Sequence, residues 1–389
     1  MATFKLNNKQ EQTHNISIKQ QINDPNADIL SLNKRHMTID ELLIFTTEHK
    51  CSDLYIKVGE QPYISRFGNI VKVPCIPISK DLWSTFYDQY ILNELNAGYV
   101  RQKLLDTSVA INIPDTSPNY CKYPNNKYRY RVSFGFSEEK NIATFRMIKP
   151  DQPTFDNINF NKLCIQALSR AYSKPSGICY CTGPTGSGKS TTLAACVNTF
   201  TQSGGILDNK VFITLEDPIE NMFNCTNSVK INQKELGKDF TTFALGIKAA
   251  LREHPNVILI GECRDKEVIC AAIEASRTGH QTITTFHAAD VAGTVGRLLY
   301  HLDNDKNLSL DLILQLNIIL SQKMLKQNGK YLVDTQYMLF EEPITSMLVN
   351  VLDRPDANIS TEINKIIADP TFQQSGLVKD WSYKHLHKN

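Results

Sequence analysis

The stretch GPTGSGKST at 183–191 constrains this chain more than any other. It satisfies G-x-x-x-x-G-K-[ST] in the context where that spacing carries meaning. An apolar run, GICYCTG, leads into it, and a helical pattern, GKSTTLAACVNTF, leads out. Gly186 and Gly188 let the backbone curl until successive N–H groups face one anion. The helix that follows adds the positive end of its dipole. In such a cradle Lys189 reaches the β- and γ-phosphates of a nucleoside triphosphate, and the Ser190 hydroxyl is offered to Mg²⁺. The expected nucleotide-binding set is therefore Gly183, Pro184, Thr185, Gly186, Ser187, Gly188, Lys189, Ser190 and Thr191.

Around this loop the chain alternates strand and helix. VFITLED, NVILIGE and QTITTFH read as strands, while FTTFALGIKAALRE and DKEVICAAIEASR read as helices. Repeated β-α units predict an α/β domain with a mostly parallel sheet and helices on both faces. Ligand chemistry in such sheets gathers at the carboxyl ends of strands. Each strand named here ends in a reactive group: Glu216 and Asp217, Glu262, and His287. Glu262 follows VILI and could polarise an attacking water, or be a solvated strand-end carboxylate. Glu216 and Asp217 could hold Mg²⁺ through its waters, or cap the turn at Pro218. His287 could donate to a γ-phosphate, or be a satisfied structural histidine like any other; His280, seven residues earlier, is open in the same way. No third ligand stands at metal-site spacing from the two.

Upstream lies a different pattern. TIDELLIFTTEH, with Thr38 and Glu41 three residues apart, has the look of a capping box. Short β-like runs follow (DLYIKV, PYISRFG, NIVKV), then a helix near 80–105, then SVAINI, YRYRVSFGF and IATFRMI. In KYRYRVSFGF the period of two puts Arg129 and Arg131 on one face, opposite Tyr128, Tyr130 and Val132. That arrangement is either an exposed strand face with an aromatic back, or a pair of anion clamps. With Arg146 on the next strand, these arginines could supply phosphate-stabilising charge from a separate domain. The expected organisation is a flexible arm at 1–35, an α+β domain at 36–146, a linker at 147–160, the P-loop domain at 161–340 and a helical tail at 341–389. From about 291 onward helix is expected, broken by one β-like patch at KYLVDTQYMLF.

Charge narrows the partners. Lysine plus arginine (42) nearly balances aspartate plus glutamate (40), which argues against direct nucleic-acid binding. Ten cysteines without a CxxC pair point away from zinc ribbons and toward a reducing, cytoplasmic setting. The apolar stretch LSLDLILQLNIIL is too short and too polar to span a bilayer, so membrane contact is expected to be peripheral.

Taken together, GPTGSGKST, ITLEDPIE, ALREHPNVILIGECRD and TGHQTITTFHA resemble the Walker A, Asp box, atypical Walker B and His box of the secretion-ATPase superfamily that includes PilT-like motors. CSDLYIKVGEQPYISRFGNI resembles that family's N-terminal opening, so the likeness runs from about residue 38 to about 340. YRYRV, GECRD and the tail after SQKML look closest to DotB/TraJ-type ATPases of type IVB secretion and conjugation systems. The resemblance implies a PAS-like N-terminal domain, a RecA-like motor domain and a homo-hexamer working with inner-membrane components of a type IV secretion, conjugation or pilus machine. It implies phosphate and Mg²⁺ roles for Lys189 and Ser190, the Asp box for Glu216 and Asp217, the catalytic carboxylate for Glu262 and a γ-phosphate sensor for His287. It implies phosphate contacts for Arg129, Arg131 and Arg146. Its alternative form is a motor that retracts a type IV pilus. Three departures stand out: His254 where many members are acidic, Arg277 where a small or apolar residue is usual, and no CxxC module.

Overall fold

The structure is a computed structural model, and it describes residues 29, 34–90, 105–120, 126–148, 152–158, 160–223, 225–226, 228–327, 330–354 and 358–382. The arm expected at 1–35 lies almost wholly outside the described residues, as does the C-terminal part of the helix expected at 80–105. The chain divides into two compact units, Met1–Ile148 and Lys149–Asn389.

The first unit opens with α1 (Ile39–Glu48), whose capping box is formed in full: the Glu41 N–H donates to Thr38 Oγ1 at 3.1 Å, and the Thr38 N–H to Glu41 Oε2 at 2.8 Å. Strands β1 (Asp53–Lys57), β2 (Tyr63–Arg66) and β3 (Asn69–Lys72) follow, then α2 (Lys80–Tyr90), β4 (Leu105–Asn112), β5 (Lys127–Ser137) and β6 (Lys140–Ile148). They form one antiparallel sheet in the order β3-β2-β1-β6-β5-β4. One face packs on the helices, with Trp83 edge-on to Phe134 and Phe86 edge-on to Phe145. On β5 the alternation is as the sequence predicts: Tyr128, Tyr130, Val132 and Phe134 are buried while Arg129 and Arg131 stand on the other face.

The second unit begins earlier than its motif suggests. Of the linker expected at 147–160, residues 152–158 and 160 are packed on this unit: Phe155 and Phe160 are in its core, the Phe155 N–H donates to Thr199 Oγ1, and Asn198 Nδ2 donates to the Pro153 carbonyl. Two buried phenylalanines override the turn-forming prolines that suggested a free connection. Then come α3 (Lys162–Tyr172), β7 (Gly177–Thr182), α4 (Lys189–Phe200), β8 (Val211–Glu216), β9 (Lys230–Glu235), α5 (Phe243–Ala250), β10 (Val257–Ile260), α6 (Lys266–Arg277), β11 (Gln281–Phe286), α7 (Val291–His301) and α8 (Lys306–Gln315). The remainder is β12 (Leu316–Gln327), β13 (Lys330–Leu339), α9 (Ile344–Leu352), α10 (Ile359–Ala368), α11 (Pro370–Gln374) and β14 (Val378–Lys379).

Eight strands make a mixed, mostly parallel sheet in the order β14-β13-β12-β7-β11-β10-β8-β9. The pairs from β12 to β9 are parallel, and β12-β13 and β13-β14 are antiparallel. The strands β7, β8, β10 and β11 are buried almost throughout, which is why they read as apolar runs without alternation.

Of the helix expected from about 291, Val291–His301 and Lys306–Gln315 are helices and the β-like patch KYLVDTQYMLF is the strand β13, but the stretch from Leu316 to Gln327 is corrected. LSLDLILQLNIIL is helix through Gln315 and strand from Leu316, and β12 is twelve residues long, flanked by β7 and β13. A strand buried on both faces has no period of two, so its sequence cannot be told from buried helix. In the helical tail expected at 341–389, Leu348, Ile363, Ile366, Ile367 and Val378 join the core of this unit, and β14 extends its sheet.

Two of the three departures, Arg277 and His254, lie in the second unit. Arg277 closes α6 with its Nη1 2.9 Å from Asp311 Oδ2 on α8, so its charge is paired. His254 adopts the left-handed conformation (φ 52°) after the 3-10 turn Leu251–Glu253. Nothing in the structure explains why histidine stands there.

Candidate active site

Register brings the reactive strand ends together. Thr182 on β7 lies beside Phe286 on β11, Thr284 beside Ile260 on β10, and Ile260 beside Leu215 on β8. The residues that come next are therefore neighbours along one edge of the sheet: Gly183, His287, Gly261-Glu262 and Glu216-Asp217.

The loop at 183–188 fits a phosphate chain on three observations. Gly186 (φ 76°) and Gly188 (φ 88°) hold left-handed backbone that a side chain would strain. A Cβ on Gly183 would stand 2.3 Å from the Gln322 carbonyl oxygen, so only glycine closes the arch there. Gly188 is the N-cap of α4 and supplies no side-chain acceptor, whereas α3, α5, α6, α7 and α8 are all capped by Asn, Thr or Asp. The first N–H groups of α4 thus keep their capacity for an external anion. Ser187 is buried, and its hydroxyl has no protein partner. Lys189 folds over the loop, with Nζ 3.0 Å from the carbonyls of Gly183 and Pro184. Burial lowers its pKa, offset in part by the nearby carboxylates of Glu262 and Glu220. Thr185, Ser190 and Thr191 are exposed at the loop surface.

Glu262 is the hub of the polar cluster. Its Oε1 lies 3.2 Å from His287 Nε2, and its Oε2 accepts from Arg264 Nε at 2.7 Å. Arg264 Nη1 is also 3.8 Å from Asp217 Oδ2, so one guanidinium links two of the three strand ends. Arg264 was not among the residues that the sequence singled out. Its signal was GECRD, which sets a guanidinium two residues after the Glu262 carboxylate. His287 also anchors its neighbour, its carbonyl accepting from Arg297. His280, by contrast, uses Nδ1 on the Ala275 carbonyl at 3.1 Å and on Thr278 Oγ1 at 3.2 Å, closing the end of α6.

The two Asp-box carboxylates separate. Asp217 faces Arg264 and the cluster. Glu216 is buried, and its Oε1 accepts from Thr214 Oγ1 at 2.7 Å and from Gln233 Nε2 at 3.0 Å. Burial pushes its carboxyl up to about 7, against the opposing effect of those two bonds and of a backbone bond at Glu220. Among the described residues no three His, Cys, Asp or Glu side chains gather as a ready metal site.

In the first unit the three arginines lie on one sheet face. Arg131 stands directly across from Arg146. Arg131 Nη2 is 3.0 Å from Asp106 Oδ2, Arg146 Nε is 2.7 Å from Asp53 Oδ1, and Arg129 Nη2 is 2.9 Å from Ser108 Oγ. No helix among the described residues is long and apolar enough to cross a membrane.

Comparison with known proteins agrees with this geometry. The family described as Type II/IV secretion system protein matches residues 100–347. The type IV pilus retraction ATPase PilT of Pseudomonas aeruginosa is 29% identical over 320 residues, 80% of this chain and 85% of that protein. A twitching motility protein of Neisseria gonorrhoeae is 34% identical over 257 residues, 65% of this chain and 64% of its own. Among solved structures, the ATPase DotB of Legionella pneumophila superposes with a TM-score of 0.74 at 26% identity, covering 91% of this chain and 96% of that one. The pilus retraction motor PilT with bound ADP gives a TM-score of 0.69 at 24% identity, covering 85% and 89%, a likeness of fold.

Proposed function

Because this chain belongs to the Type II/IV secretion system protein family and is an ATPase, we propose that it is the motor of a type IVB secretion or conjugative transfer apparatus. In this reading it works as a homo-hexamer in the cytoplasm, recruited to inner-membrane components of its machine, and it does not bind nucleic acid directly. The observation that carries the catalytic part is Glu262, held between His287 and Arg264 and close enough to Lys189 for the two charges to interact.

Each residue then has a task. The glycine loop, its buried Ser187 hydroxyl and the uncapped start of α4 hold the phosphates, and Lys189 neutralises them. Glu262 orients the attacking water and takes its proton. His287, bonded to that same carboxylate, reports whether a γ-phosphate is present. Ser190 and Asp217, a hydroxyl and a carboxylate, suit Mg²⁺, which when bound neutralises phosphate charge. Glu216 serves from behind, fixing the turn that carries Asp217. Arg129, Arg131 and Arg146 stabilise the charge that develops during phosphoryl transfer, so hydrolysis depends on where the first unit stands.

Phosphate release from the purified protein tests the assignment. Glu262→Gln should lower kcat by about 10²-fold or more with ADP binding retained. Equal rates in variant and parent refute the role of Glu262. The whole-length likeness to DotB favours the secretion reading. The identity to PilT over four-fifths of the chain favours pilus retraction as the second reading. Deleting the gene separates them: loss of twitching alone, with transfer intact, overturns the first.

A further inference from the structure

Gln322 on β12 has no part in the chemistry assigned above, yet it touches the phosphate loop at several points. It is fully buried. Its Nε2 donates to the Ser187 carbonyl at 2.5 Å, and its Oε1 accepts from Cys181 Sγ at 3.3 Å. Its backbone carbonyl fills the space beneath Gly183, 2.3 Å from where a Cβ would stand, and its Nε2 lies 3.2 Å from the Cβ position of Gly188. The preceding residue continues the seam: Ser321 and Thr182 share a hydroxyl bond at 2.6 Å, and Thr294 Oγ1 donates to Thr182 at 3.2 Å.

The geometry of an anion-binding loop explains why such a residue is needed. A loop that turns successive N–H groups inward must turn carbonyls outward. An outward carbonyl buried against the sheet loses water and needs a donor from the protein. The Ser187 carbonyl is in that position, and the Gln322 amide is its donor. The same amide is anchored at its other end on β7, the strand that delivers the loop. A leucine or methionine would fill the volume equally well, and would leave the carbonyl unpaired.

We propose that Gln322 is a positioning residue that holds the phosphate loop in its anion-receiving form, and that through it nucleotide occupancy is coupled to the β12–β13 hairpin. The proposal rests on nucleotide occupying the 183–191 loop. The hairpin is the natural recipient, because Gln322 lies opposite Thr335 in its ladder and Ser321 opposite Gln336. Gln336 in turn accepts from the Val291 N–H at 3.0 Å and donates to Asp380 Oδ1 at 2.8 Å. The start of α7 and the C-terminal segment are therefore bonded to β13, the strand paired with the one that holds the loop.

The test uses the full chain, a fluorescent ADP analogue and steady-state kinetics on Gln322→Met, which keeps length and volume and removes the donor. The expected result is a rise of about tenfold in the dissociation constant for the analogue and in KM for ATP, with kcat at saturation changed less than about twofold. A lowered thermal midpoint with KM unchanged overturns the proposal, because packing alone would do that. Hydrogen exchange on the unmodified chain gives an independent answer should the variant not fold. ADP should slow exchange in 318–324 and 333–338 as well as in the loop and α4. Protection confined to the loop and α4 overturns the coupling. Failure of the unmodified chain to bind the analogue removes the nucleotide assignment itself, a result distinct from both.

Discussion

Replacing Glu216 by glutamine should change the pH dependence of stability more than its value at low pH. The structure buries this carboxyl and raises it from the ordinary 4.5 to about 7, with Thr214 and Gln233 as partners. A carboxyl raised on folding binds its proton more tightly in the folded state. Its favourable contribution is whole below pH 4.5, shrinks as pH rises, and is gone above about 7. Each pH unit of that interval is worth about 1.4 kcal/mol, so the loss across it is about 3 kcal/mol. Glutamine keeps an oxygen for both donors and cannot ionise. Urea unfolding in EDTA, followed from pH 4.5 to 8.5, should show the variant gaining on the parent by about 3 kcal/mol across that range. A constant difference between the two at every pH would refute the reasoning, since it would mean that Glu216 is not held in a raised state.

Two further predictions concern charge. Arg131→Ala and Arg146→Ala should each leave ADP-analogue binding within a few-fold while phosphate release falls by about 10³-fold; unchanged turnover returns β5 to a plain exposed face. Arg264→Ala should lower kcat by about tenfold with KM little altered, because Glu262 loses one of its two anchors. Lysine at 264 should recover less than half of that, since it lacks the fork that spans Glu262 and Asp217; full recovery by lysine would show that charge alone is needed.

The parts of the fold that announced themselves did so through local rules. The phosphate loop joins an apolar strand to a helix, and its register neighbours β8, β10 and β11 end where their reactive residues begin. The Thr38–Glu41 box and the alternation of KYRYRVSF needed only near neighbours in sequence. What escaped depends on distant partners. β12 looks helical until β7 and β13 flank it. Glu216 and Asp217 are adjacent in sequence, but neighbouring side chains on a strand point apart, and only β9 decides which of them is buried. Arg264 is local to Glu262 but distant from Asp217, and Gln322 touches Ser187 at a separation that no periodicity encodes.

The arginine face of the first unit has a consequence for idle molecules. Arg131 and Arg146 each rest on an aspartate, and the Arg146 partner, Asp53, also accepts from Ser52 at 2.7 Å. These cations are therefore parked on internal anions, and under the proposed role engaging a phosphate would exchange one anion for another. Asp53 would retain the Ser52 hydroxyl as a donor after its arginine leaves. A face so arranged shows little naked positive charge to stray polyanions, yet can be recharged by turning two side chains.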